Sequence, residues 1–255
     1  MFDTHIHTAF STDSRMTIEQ LEDKIESEGI GAIITEHIDL DYPDKDKFRF
    51  NPEDYFNSYE DHRSSKLLLG VELGLGDVNH EENRKIARSN PFDYVIGSIH
   101  IVNGMDLYYE DFYKDTEKHK AYAMYLEAMA RAVKEGDYFD CLGHIDYICR
   151  YARYNDKELC YEDFPDLLDQ VMLSVINTGK VIELNTRRLG DKRTTENLIE
   201  IYKRYHELGG RYAALGSDAH MKESVGKNFK EGIRILEECK LKPVFFNRRR
   251  MEYCK

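Results

Sequence analysis

The sequence predicts an α/β protein built on a largely parallel sheet. Three observations carry this. Short runs such as GAIIT, KLLLGVE, DYVIGSI and KVIELN are apolar on both faces, as parallel strands covered on both sides are. Longer amphipathic stretches lie between them, with apolar residues at three- and four-residue spacing. Strand followed by helix recurs about seven times, the pattern of a parallel sheet with crossover helices.

In chain order, the first strand is Phe2–Ile6. Thr17 caps the helix IEQLEDKIESE and Gly29 stops it. Strands follow at Gly31–Thr35, Leu67–Glu72 and Tyr94–Ile99. A long helix starts near Thr116 and ends at Gly136, and a fifth strand spans Phe139–Gly143. A helix from Pro165 to Asn177 precedes the sixth strand, Val181–Asn185. A helix from Thr195 to Leu208 precedes the seventh, Tyr212–Gly216, and a last helix runs from Asn228 to Cys239. Such a sheet either closes into a barrel or stays open and doubly wound; closure is the commoner outcome near this length. No linker, low-complexity tract or sequence repeat divides the chain, so residues 1–255 read as a single domain.

Hydrophobic residues make up 41% and charged residues 33% of the 255, enough for a core and a soluble surface. With 48 acidic and 36 basic side chains the net charge is −12, which argues against nucleic-acid binding through a general cationic surface. No apolar run approaches the roughly 18–20 residues of a membrane span, and MFDTHIHTAFSTDS has neither the basic start nor the apolar stretch of a secretory signal. Five cysteines without a C-x-x-C pair make neither a disulfide framework nor a zinc-thiolate knuckle. The expectation is a cytoplasmic protein acting on a small molecule, with no nucleic-acid or membrane partner; oligomeric state is not legible.

The histidines are the informative residues. The first strand ends in D-T-His5-I-His7, the second in T-E-His37, the third in V-Glu72, the fourth in G-S-I-His100, the fifth in L-G-His144-I-D, and the seventh in G-S-Asp218-A-His220. Six of the ten histidines thus sit at carboxyl ends of strands, which in a parallel α/β fold share one face. Imidazole and carboxylate are the usual ligands of divalent transition metals. Side chains two apart on a strand point the same way, so His5 and His7 can chelate one ion, and Asp218 and His220 repeat the spacing. The two oxygens of Glu72 can bridge a pair of ions. Asp13 lies in a predicted loop, where Asp is also a common turn former. Asp3, Glu36 and Asp146 adjoin these positions and could orient an imidazole. His62, His80, His119 and His206 fall in helical or loop stretches and read as solvated surface, as does the run Arg248–Arg250.

Together DTHIHTAFSTDS, ITEHID, GVELG, GSIH, GHIDY and GSDAH resemble the motif set of the PHP superfamily (polymerase and histidinol phosphatase), from about residue 2 to 220. The length and the phrase GSIHIVNGMDL look most like its monofunctional histidinol-phosphate phosphatases. The resemblance implies a distorted (β/α)7 TIM-like barrel with a trinuclear metal site at the carboxyl ends of the strands. His5, His7, Glu72 and Asp218 would hold the first ion; Glu72, His100 and His144 the second; Asp13, His37 and His220 the third. Some members have His where this chain has Asp13. The three ions would be zinc, manganese or iron.

The implied reaction is hydrolysis of L-histidinol phosphate to L-histidinol and phosphate, in histidine biosynthesis. A metal-activated water held by Glu72, Asp218 and His220 would attack phosphorus, and Arg150, Arg187 and Arg188 are candidate phosphate contacts. The alternatives are a PHP phosphoesterase for a nucleotide, oligonucleotide or phosphotyrosine, and a non-catalytic metal-binding partner domain. Glu72→Gln is expected to cut turnover by orders of magnitude in a phosphate-release assay; near-normal turnover with full metal content would show the site to be misassigned.

Overall fold

The computed structural model describes residues 1–76 and 78–254. Among them the main sheet has nine strands. All seven expected strands are present: β1 (Phe2–Ile6), β2 (Gly31–Ile38), β3 (Leu67–Gly74), β4 (Tyr94–Ser98), then, after a small antiparallel hairpin of β5 (Ile101–Val102) and β6 (Met105–Asp106), β7 (Cys141–Leu142), β8 (Val181–Asn185) and β9 (Tyr212–Gly216). Two more were not expected, β10 (Lys242–Asn247) and β11 (Arg250–Tyr253). Spatial order follows chain order, and every pair in the main sheet is parallel except β10–β11.

The helices cover the outer face. α1 (Ile18–Glu28) begins with a capping box between Thr17 and Gln20 and ends at Gly29 at φ 68°. α2 (Pro52–Tyr59), α3 (His80–Ser89) and the short α5 (Ile148–Tyr151) were not expected; α4 (Lys118–Glu135), α6 (Pro165–Asn177), α7 (Lys192–Glu207) and α8 (Phe229–Glu238) were, α7 starting three residues before the expected Thr195 because Asp191 caps it. None of them is long and apolar enough to cross a membrane.

The expected closed barrel is corrected. β1 meets the carboxyl end of β9 through one bridge, Ile6–Ala219, and through bonds from Asp218 N–H to His5 O (2.8 Å) and from His7 N–H to Ala219 O (2.8 Å). No continuous ladder joins the two strands. The reason is β10, which takes the amino-terminal edge of β9 in the register Lys242–Tyr212 to Val244–Ala214. It then runs across the amino-terminal end of the sheet. The Phe245 ring stacks on Phe2 of β1 at 4.0 Å, and Phe246 lies against Tyr94 of β4 at 5.3 Å.

The space the sheet curls around is therefore plugged at one end. A separate apolar cluster there takes Ile33, Leu68, Tyr94, Cys141, Val181 and Ala214 from six strands and seals them with Val244, Phe245 and Phe246. The opposite end, where the parallel strands finish, stays polar. Phe245→Ala is expected to cost about 3–5 kcal/mol, the usual range for a buried aromatic, in urea unfolding. A loss under about 1 kcal/mol would mean the β10 hairpin is not part of the core.

Candidate metal centre

At the polar end the inward-facing positions of β2 and β3 carry expected residues, His37 and Glu72, and those of β8 carry Glu183 and Asn185. Strict alternation continues from the floor to the mouth: Ile33, Thr35 and His37 on β2; Leu68, Gly70 and Glu72 on β3; Val181, Glu183 and Asn185 on β8. β1 is the exception. Phe2 packs in the floor cluster, so alternation alone would turn Thr4 and Ile6 inward and both histidines outward. A bulge intervenes, three steps from Asp3 to Ile6 standing against two from Ala32 to Ile34. It shifts the phase, Ile6 joins the outer core, and His5 and His7 face the centre. Gly216 makes room: a Cβ there would lie 2.5 Å from the His5 Cβ and collide with Glu183.

The nine expected ligands converge. His5 Nε2 is 3.1 Å from His7 Nε2 and 3.3 Å from Glu72 Oε2. Asp218 Oδ1 is 3.5 Å from His7 Nε2 and 3.9 Å from His5 Nε2. The other Glu72 oxygen, Oε1, is 3.0 Å from His144 Nε2 and 3.4 Å from His100 Nε2. Asp13 Oδ2 is 3.0 Å from His220 Nε2, and Oδ1 is 3.8 Å from His37 Nε2. Asp13 is the exposed member of the set; His5, His7 and Glu72 are wholly enclosed.

Hydrogen-bond partners fix which ring nitrogens carry protons. His5 Nδ1–H donates to Glu183 Oε1 (2.7 Å). The Ser11 hydroxyl donates to Glu36 (2.5 Å) and so accepts from His7 Nδ1–H (3.0 Å). His100 Nδ1–H donates to Asp39 (2.9 Å), and His220 Nδ1–H to the Asp218 carbonyl (3.0 Å). Each leaves an Nε2 lone pair facing a carboxylate oxygen. Such a gathering of acceptors needs a positive charge among them. A tetrahedral divalent ion with bonds of about 2.0–2.1 Å holds its ligands about 3.3 Å apart, close to the 3.1–3.9 Å that separates His5 and His7 from each other, from Glu72 and from Asp218. Glu72 Oε2 also lies 2.9 Å from His37 Nδ1, and His144 Nδ1 is buried without a hydrogen-bond partner. The donor set therefore fits divalent metal ions.

Without metal, protons compete for the same lone pairs. Burial opposes a proton on His5 and His100, but at His5 the carboxylates of Glu183, Glu72 and Asp218 prevail and hold it well above its ordinary range; Asp39 and Glu72 do so at His100. His7, buried and facing His37 and His220, stays well below. Against the same burial, His5, His37 and His100 keep Glu72 far below the usual carboxylate range, and Arg150 and His5 do this for Asp218. Asp218 also sits at φ 53°, left-handed backbone that a non-glycine residue adopts at a cost.

The cavity over this centre has a volume of about 410 Å³. Arg150 and Arg187 both line it. Arg150 bonds Asp218 through Nη1, rests on the Tyr147 ring, and keeps Nε and Nη2 buried without a partner. Arg187 Nη1 is 3.5 Å from Asp218 Oδ1. Arg188 is not brought to the cavity. Its neighbour Arg187 takes the inward side of the turn after β8, and Arg188 is bound to Asp146 (2.8 Å), Glu158 and Thr194. The other wall is aromatic: Tyr42, Phe48, Tyr108, Tyr109, Tyr147 and Tyr151, with the Asp106 carboxyl among them.

Of the acids expected beside the ligands, Glu36 acts on His7 through Ser11. Asp146 holds Arg188, and Asp3 ties Ser217 and Gly226 to the first strand. Sequence reasoning missed the two that touch imidazoles directly, Glu183 and Asp39. A lone acid inside the apolar run VIELN was the available signal for Glu183. His62 and His80 are half-buried, bonded to Glu22 and the Tyr138 hydroxyl; His119 is exposed and His206 partly so.

A model of the PHP domain family matches residues 3–187. A probable histidinol-phosphatase of Clostridium acetobutylicum is 50% identical over 253 residues, 99% of each chain. A histidinol-phosphatase of Lactococcus lactis is 30% identical, covering 86% of this chain and 84% of the relative. The crystal structure of histidinol phosphate phosphatase from Lactococcus lactis, complexed with zinc, L-histidinol and phosphate, is similar at TM-score 0.92 and 25% identity over 98% of both chains.

Glu183→Gln removes the charge that orients His5 and is expected to weaken metal affinity about ten- to a hundredfold, read by competition with a chelating dye. Unchanged affinity would mean that Glu183 supports the strand and not the ligand.

Proposed function

The chain belongs to the PHP domain family, and from that premise we propose that it is a metal-dependent histidinol-phosphatase, converting L-histidinol phosphate and water to L-histidinol and phosphate. The observation that carries this is the convergence of ring lone pairs and carboxylates beneath a cavity that has arginine on one side and aromatic rings with a carboxyl on the other. The full-length likeness to histidinol-phosphatases supports it.

In this reading the nine side chains hold three divalent ions, zinc, manganese or iron. His5, His7, Glu72 and Asp218 serve one; Glu72, His100 and His144 a second; Asp13, His37 and His220 a third. When bound, the ions supply charge that makes water nucleophilic near neutral pH and offsets the charge of the phosphate oxygens. The chain's own residues do the rest. Glu72, Asp218 and His220 set the direction from which water approaches phosphorus. The free Nε and Nη2 of Arg150 and the guanidinium of Arg187 grip phosphate oxygens. Arg188 takes no part in that grip; with Asp146 and Glu158 it braces the turn that carries Arg187.

The rest of the substrate meets the aromatic wall. The imidazole of histidinol stacks against tyrosine rings, and its ammonium pairs with Asp106, a half-buried acid placed to neutralise a cation. A new P–O bond forms to water as the ester P–O bond breaks, and the proton lost by water is gained by the departing alkoxide. Sheet, centre and cavity work as one catalytic unit over residues 1–255.

A substrate panel tests this. Metal-loaded protein should release phosphate from L-histidinol phosphate at least a hundredfold faster, by kcat/KM, than from nucleoside monophosphates or phosphotyrosine. Equal rates would leave only general phosphoesterase activity, and no release from any ester would favour a binding role.

A further inference from the structure

At the end of the sheet away from the metal centre, the hairpin between β10 and β11 turns on two residues, Arg248 and Arg249, at φ 50° and 62°. Tight two-residue hairpins want both positions left-handed and normally use Asn-Gly to get there. Two arginines are a costly choice. The cost at Arg249 has a visible compensation: its Nε bonds Asp140 at 2.6 Å and its Nη2 bonds the Tyr138 carbonyl at 2.8 Å, pinning the hairpin across the floor. That also corrects the sequence reading of this run as solvated.

Arg248 has no such compensation. Only its backbone N–H is engaged, by Asp93 Oδ1 at 3.1 Å. The guanidinium groups of Arg248 and Arg250 make no hydrogen bond or ion pair among the described residues. Both line a cavity of about 610 Å³ with Arg63, Ser65, Asn247 and Glu252. The Asp93 carboxylate at its floor is already taken, by Arg248 N–H, Leu69 N–H and Arg63. With Arg63 paired to Asp93 and Glu60, Glu252 at the rim is the remaining acid, against the two arginines Arg248 and Arg250. Both side chains are exposed to solvent, so their charge is free for a ligand, and a strained residue with an unemployed charged side chain points to a role outside the fold.

We propose that this cavity is a second anion site, remote from the catalytic one, where Arg248 and Arg250 take a small molecule through a phosphate or carboxylate group. The planar fork of arginine fits either oxyanion, Asn247 and Ser65 add neutral donors, and the volume admits more than a bare phosphate.

Isothermal titration of the metal-loaded protein with inorganic phosphate, and separately with succinate, tests it. The wild type should show an oxyanion-binding class that Arg248→Gly weakens at least tenfold. Because glycine relieves the left-handed strain, that variant should unfold at a temperature equal to or above wild type, with unchanged turnover at saturating substrate. Arg250→Ala, which leaves the turn alone, should weaken the same class. A class seen only with phosphate identifies a phosphate ligand; one seen only with succinate identifies a carboxylate. If neither probe binds in a class weakened by both variants, the proposal is overturned.

Discussion

Two imidazole nitrogens, His5 Nε2 and His7 Nε2, lie 3.1 Å apart inside the protein, and each is 3.3–3.9 Å from Glu72 Oε2 and Asp218 Oδ1. Without a positive charge among them this arrangement repels itself. Most of the unusual local structure at the mouth of the sheet exists to enforce it. The bulge in β1 turns two histidines inward. Gly216 lets His5 sink between strands. Left-handed backbone aims Asp218, and its N–H to the His5 carbonyl stitches the seam at that point. Glu183, Ser11 with Glu36, and Asp39 each claim one ring nitrogen and so present the other.

The same constraint explains why the two ends of the sheet differ. A polar, charge-dense mouth contributes little hydrophobic stabilisation, so the opposite end must close tightly. It does so with Phe245 and Phe246 on a hairpin laid across the strand starts, and by giving β9 a second partner where β1 would have closed the barrel. Arginine serves both ends of this acidic chain: Arg150 and Arg187 line the catalytic cavity, and Arg249 locks the floor to Asp140.

Much of this was legible in the sequence. Seven strands and the main helices follow from apolar runs and caps, and histidines at strand ends mark a shared face because parallel topology gives all those ends one side. What stayed hidden depends on phase or on distant partners. Two-residue spacing says that His5 and His7 share a face, but not which face; the bulge decides that. Glu183 reads as one acid in an apolar strand until β1 is placed beside β9, two hundred residues away in sequence. β10 contains Pro243 and follows a helix closely, so its run KPVFFN carries no clear strand signal until the floor it fills is known. Arg187 and Arg188 are equivalent in sequence, and only the turn after β8 sends one inward and the other to Asp146 and Glu158.

The most direct test is anomalous diffraction from crystals of the protein as purified, collected across the absorption edges of zinc, manganese and iron. The expected result is a strong anomalous peak enclosed by His5, His7, Glu72 and Asp218, with Glu72 shared with a second peak beside His100 and His144. Clean density with no anomalous signal there, and the Nε2 atoms of His5 and His7 moved apart, would contradict it.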